Sequence, residues 1–164
     1  MSVLTPVILG IDPGTYCGWA VLHAKTGARL ASGTWDLSPR RYEGSGMRFL
    51  RLEGYLNGVR QAFPEITVVA YEEVRRHAGT DAAHIYGGIV AALQSWCERQ
   101  LLPNYVGMPV GTVKKVATGK GNASKDMMVL ASRAQWGDDA PRGLGEDDEA
   151  DALWVAETWR RSQL

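Results

Sequence analysis

The sequence is poor in the residues that carry thiol and imidazole chemistry. It has two cysteines, Cys17 and Cys97, and three histidines. Two thiols so far apart exclude a disulfide framework and a cysteine-rich zinc site, and they suit a reducing compartment. No run approaches the roughly 20 apolar residues of a membrane span. No basic stretch followed by a long apolar one reads as an export signal. The expectation is an intracellular, cytoplasmic protein with no membrane partner. Net charge is missing as well, since 18 Lys and Arg balance 18 Asp and Glu. The chain shows no internal repeat and no low-complexity linker. Its 164 residues, 45% of them hydrophobic, match one ordinary domain with a proper core.

The balance of charge hides an uneven distribution. Residues 146–164 hold six acids and two bases, whereas 1–145 hold 16 bases and 12 acids. Four lysines and no acid fall within 110–125. An acidic segment beside a basic one suits a protein that holds a cation and a polyanion together. A solvated helix start next to a basic loop gives the same composition.

Periodicity orders the elements. Val7 to Asp12 is a buried strand ending at the turn Pro13-Gly14. Gly18 to His23 is a second strand, Lys25-Thr26-Gly27 a hairpin turn, and Arg29 to Trp35 a third strand. Phe49, Leu52, Leu56, Val59 and Phe63 follow helical spacing from Met47 until Pro64 closes the helix. Thr67 to Tyr71 is a strand running into Glu72-Glu73. A long helix from Ala82 to about Leu101 follows, then a strand over 105–108. Helices at about 110–118 and 124–136, a loop over 137–147 and a last helix from about Asp148 to Arg161 complete the chain. Short turns make the first three strands antiparallel, and helical crossovers add parallel ones. The expected fold is α/β, a mixed five-stranded sheet flanked by helices.

Three acidic positions stand out in this frame. Asp12 ends an apolar run, where a carboxylate is costly unless it is paired or bound to a metal. The plainer reading of Asp12 is a residue opening an Asp-Pro-Gly turn. Glu72 repeats the pattern beside Glu73, and alternation lets one of the two share a face with Asp12. In the last helix, Asp148 and Asp151 extend the stripe of Ala152, Val155, Ala156 and Trp159, and at a spacing of three they are neighbours. Asp147 competes with Asp148 for that role, and capping by acids accounts for Glu146 and Glu149. Gathered at one sheet edge, such carboxylates suit hard cations such as Mg²⁺. Two ions about 4 Å apart can hold a phosphodiester and activate water.

Four segments, in order, resemble the RuvC family of Holliday-junction resolvases. They are Gly10-Ile11-Asp12-Pro13-Gly14-Thr15 with Gly18-Trp19-Ala20, then Ala70-Tyr71-Glu72-Glu73-Val74. The basic segments Val113-Lys114-Lys115 and Gly121-Asn122-Ala123-Ser124-Lys125 come next, and Asp148-Glu149-Ala150-Asp151-Ala152-Leu153 closes the set. The resemblance spans essentially the whole chain. It implies a ribonuclease H-like fold, a homodimer and two Mg²⁺ ions per site, with Mn²⁺ as a substitute. It implies an endonuclease that nicks four-way junctions in DNA recombination and repair. Asp12, Glu72, Asp148 and Asp151 are then the catalytic metal ligands, with Lys125 beside them. Lys114, Lys115, Lys120, Lys125, Arg75 and Arg76 are the expected DNA contacts. Arg75 stands where the family often has an aromatic residue, which implies latitude toward forks, flaps and other branched DNA of the kind expected in a phage-type relative. Ile85, Ile89, Leu93 and Trp96 offer a stripe for a dimer interface, or for covering the sheet. Two other functions fit parts of the pattern. A module that binds branched DNA without cutting needs the bases but not the acids. An actin-like phosphotransferase shares the glycine-rich first motif but needs a second domain.

Overall fold

The computed structural model describes residues 5–164. Strand β1 (Val7–Asp12) pairs antiparallel with β2 (Tyr16–His23), which pairs antiparallel with β3 (Arg29–Asp36). Helix α1 (Met47–Ala62) then crosses to β4 (Ile66–Glu73), parallel to β1 on its other side. Helix α2 (Thr80–Arg99) crosses to β5 (Tyr105–Pro109), parallel to β4. The resulting sheet runs in the order β3-β2-β1-β4-β5, the mixed topology that the turn and crossover lengths predict. Helices α3 (Val110–Thr118), α4 (Lys125–Trp136) and α5 (Glu146–Ser162) follow.

Alternation in the central strands sorts the two faces. Val7, Leu9 and Ile11 of β1, with Val69 of β4, join Leu52, Leu56, Ile89 and Leu93 under α1 and α2. Ile8, Ala20, Leu22 and Val68 meet Ala152, Leu153 and Ala156 of α5 on the opposite face. Met108, Val113, Met128, Trp154 and Val155 continue that layer beneath α3 and α4. Helix α1 ends at Ala62 because Phe63 precedes Pro64 and is pushed out of the helical region, at φ −128 and ψ 73.

Helix α5 lies directly on the strands. A Cβ on Gly10 would collide with the Ala152 carbonyl, and one on Gly18 with the Asp148 carbonyl. Glycine is required at both places so that helix backbone can rest on strand backbone. The apolar stripe of α2 belongs to the interior. Ile89, Leu93 and Trp96 are at most 1% exposed, and Ile85 packs against them. The alternative reading of that stripe as a dimer interface is therefore corrected: it covers the sheet. Gly88 likewise admits a neighbour from the same chain, since a Cβ there would lie 2.6 Å from Phe49.

Candidate active site

Three elements bring carboxylates to one point. Asp12 follows Ile8 and Gly10 on the α5 face of β1 by the two-residue period of a strand. Ile11 pairs with Tyr71, so Asp12 and Glu72 come next on adjacent parallel strands. Alternation puts Glu72 on the face of Val68 and Ala70, which pack toward α5 and α3. Glu73 points elsewhere and lies 3.7 Å from Arg75. Helix α5 supplies Asp151. One carboxylate oxygen each from Asp12, Glu72 and Asp151 lie within 4.8 Å of one another.

The first turn of α5 resolves its run of acids. Glu146 meets Arg133 at 3.0 Å, and Asp147 meets Lys125 at 3.2 Å. Glu149 accepts from Ser32 and lies 3.9 Å from Arg29. Asp148 instead acts on Asp12, whose carboxyl its charge helps to raise. Asp12, Glu72 and Asp151 form the close triad, and Asp148 borders it.

The cluster is electrostatically unsatisfied. Burial, then the charges of Glu72, Asp151 and Asp148, hold the Asp12 carboxyl well above its ordinary range. Burial and the neighbouring Glu72, Asp148 and Asp147 push Asp151 up to about 8, against the pull of Lys114. Glu72 is raised by burial and by Asp148, again opposed by Lys114. Asp148 is raised by burial and by Asp147. Acids that resist ionisation together, three of them with an oxygen donor within 4.8 Å of one another, are what a divalent cation relieves.

The basic residues form a rim. Lys114 on α3 is the cation that acts on Glu72 and Asp151. Lys125 is at the start of α4, largely exposed and tied to Asp147. Lys115, Lys120 and Arg76 are exposed, as is Arg75 with 83% of its side chain in solvent. Behind Arg75, His77 tilts against Tyr86 at 4.8 Å between ring centres. The Tyr86 hydroxyl donates to the Glu72 carbonyl and accepts from the Val74 amide, fixing the exit of β4. That brace went unrecognised in the sequence, where Tyr86 is one aromatic in a helix. Both cysteines are buried and their thiols raised by burial, which removes them from the chemistry.

A mixed five-stranded sheet with acids on its two central strands and on a helix laid across them defines a nuclease of the ribonuclease H-like class. The comparisons with known proteins narrow that class. A crossover junction endodeoxyribonuclease RuvC from an Anaeromyxobacter species is 33% identical over 161 residues, covering 95% of this chain and 74% of that protein. The RuvC of Anaeromyxobacter dehalogenans is 35% identical over 155 residues, covering 92% and 78%. Among solved structures, Thermus thermophilus RuvC in complex with a Holliday junction substrate superposes with a TM-score of 0.77 at 27% identity, covering 93% of this chain and 92% of that one. No family model matches the sequence. The chain belongs to the RuvC family of crossover junction endodeoxyribonucleases. Among the described residues no helix is long and apolar enough to cross a membrane.

Proposed function

We propose that this chain cuts four-way junctions and other branched DNA by magnesium-dependent hydrolysis of phosphodiester bonds. The observation that carries this is the meeting of Asp12, Glu72 and Asp151 from three separate elements within 4.8 Å. The RuvC relatives named above, one of them in complex with a Holliday junction, support the same substrate class. Asp12, Glu72, Asp148 and Asp151 would hold two Mg²⁺ ions, with Mn²⁺ able to substitute. Ions held there would supply an activated water near neutral pH and offset charge on the leaving oxygen. The side chains supply the rest. Asp12 and Glu72, fixed on the sheet, set the position of the scissile phosphate. Asp148, at the start of α5 and electrostatically coupled to Asp12, adds a further carboxylate from the helix side. Lys114 offsets the negative charge of the cluster, and Lys125 meets the phosphate from the rim as a point cation. Lys115, Lys120, Arg75 and Arg76 grip neighbouring phosphates without reading sequence.

Two symmetry-related strands of a junction call for two sites on a two-fold axis, hence a homodimer of this single domain. The decisive experiment maps cleavage of a four-way junction beside forks and linear duplex, in Mg²⁺, in Mn²⁺ and in EDTA. Cation-dependent nicks near the branch point are expected. Tight binding without any nick would replace a nuclease with a binding module.

A further inference from the structure

Helix α1 carries a buried cation at its least hospitable end. Arg48 is the second residue of the helix and is 9% exposed. The helix dipole places positive potential there, and the first turn of α1 holds no acid to offset it. Among the described residues the guanidinium has one hydrogen-bond partner, the Thr15 hydroxyl, to which Nη1 donates at 2.9 Å. No carboxylate among them comes within 4.0 Å of it. Arg51, one turn on, is the contrast, since both oxygens of Glu43 receive it. A guanidinium taken out of water without an anion is costly, and a single neutral hydroxyl offsets little of that cost.

The unused donors of Arg48 face an opening. Nε and Nη2 have no partner among the described residues, yet neither is sealed from solvent. Arg48 lines a cleft of about 490 Å³ between the starts of α1 and α2, with Ser45 and His84 as further polar groups. Asp81 shares the cleft, but it is exposed and serves the first turn of its own helix. Ile85 belongs both to this cleft and to a second one of about 380 Å³ walled by Pro13, Gly14 and Thr15. The trough therefore leads to the turn that follows Asp12. Three residues separate Asp12 from Thr15, which is at most about 11 Å of chain.

We propose that this cleft binds a phosphodiester of the DNA backbone one or two nucleotides from the scissile one, with Arg48 as its anchor. This site rests on the nuclease reading above. It lies on the α1 side of the sheet edge, across from Lys114 and Lys125. A strand passing over the Pro13-Gly14 turn would meet the carboxylate cluster on one side and Arg48 on the other. The planar fork of arginine matches two phosphate oxygens, and burial shields the contact from salt. Asp81 repels doubly charged inorganic phosphate more than a singly charged phosphodiester, which favours the backbone over the free ion.

Arg48→Met separates a ligand site from a structural brace, because replacing a buried unpaired charge by an apolar chain spares the fold or steadies it. Junction binding in EDTA should weaken roughly tenfold and its salt slope fall by about 1, while the urea midpoint stays level or rises. Four-way junctions carrying one uncharged methylphosphonate linkage, moved stepwise past the cut, locate the contact. At one position the parent should lose about tenfold in affinity, and Arg48→Met should lose nothing further there. Each comparison is a ratio within one protein, so a fraction of unfolded molecules does not affect it, and the scan decides whatever the midpoint does. Identical scans in the two proteins overturn the site and leave the nuclease standing. Identical scans together with protection of the parent from urea by millimolar inorganic phosphate would give the cleft to the free ion instead. Absence of both binding and cleavage by the unaltered protein overturns the site and the nuclease together.

Discussion

The two ends of α5 treat buried acid in opposite ways. At the C-terminal end, the Glu157 side chain is 0% exposed and receives Arg160 at 2.7 Å and Arg161 at 2.8 Å. Burial raises its carboxyl, but the hydrogen bonds from both arginines outweigh burial and hold it below the usual range. The Arg160 guanidinium reaches on to the Lys25 carbonyl and so ties the helix end to the β2–β3 turn. At the N-terminal end, Asp148 and Asp151 meet Asp12 and Glu72, and all four are raised. The protein completes one site by itself and leaves the other short of positive charge. Only the second needs something from outside, which is why it, and not the neater ion pair, is the place to look for chemistry.

Neutralising one acid at each end should separate them most sharply. Asp12→Asn is expected to lower junction cleavage by at least about a hundredfold while binding persists. Cleavage near the parental rate would remove Asp12 from the site. In EDTA the same variant should resist urea better than the parent, because one repulsive charge is gone. Glu157→Ala should do the reverse, costing about 3 kcal/mol of stability by leaving two arginines without their anion. Urea titration measures it, and cleavage per folded molecule should hold. A loss below about 1 kcal/mol would mean the pair is replaceable by solvent.

The pH response of the metal-free protein is the next smaller effect. Asp151 is raised to about 8 in the fold and returns to about 3.9 when unfolded. The folded state therefore binds more protons across that interval, and stability falls as pH rises from about 4 to about 8. Glu157 acts oppositely, and its contribution disappears as pH drops below its unfolded value near 4.3. In EDTA, the midpoint of urea unfolding should be lower at pH 8 than at pH 6. Saturating Mg²⁺ should restore about 2–3 kcal/mol at pH 8, as expected near a hundredfold excess over the dissociation constant. A midpoint indifferent to Mg²⁺ at pH 8 would argue against a cation at this end of the helix. Smallest of all, Arg75→Ala should weaken junction binding a few fold and reduce its salt slope by about 1, read from titrations at several ionic strengths. An unchanged slope would take Arg75 off the DNA.

Much of this site was visible before the fold. Asp12 and Glu72 each end an apolar strand, and Asp148 and Asp151 continue a buried stripe. Parallel pairing of β1 with β4 brings them together. The preference for Glu72 over Glu73 follows from the same two-residue alternation that buries Val68 and Ala70. Asp147 against Asp148 was not decidable, because adjacent residues in a first turn differ by the cation that another helix presents. Lys125 of α4 pairs with Asp147 and not with Asp148. The role of the α2 stripe was equally closed to sequence, since apolar spacing reads alike whether a sheet or a second copy covers it. Helix α5 begins at Glu146 rather than Asp148 because the left-handed Gly145 turns the chain there and Arg133 holds Glu146.

The direct seating of α5 on Gly10 and Gly18 turns these two residues into a spacer gauge. The gap between the acids on the sheet and those on the helix is set by main chain touching main chain. No side chain can be repacked to alter it. One added methyl at Gly10 would wedge the helix outward and widen the triangle of oxygens, and a mismatch of an ångström is enough to spoil coordination of a small, strict ion. A position with no functional group at all thus governs the spacing of the carboxylates.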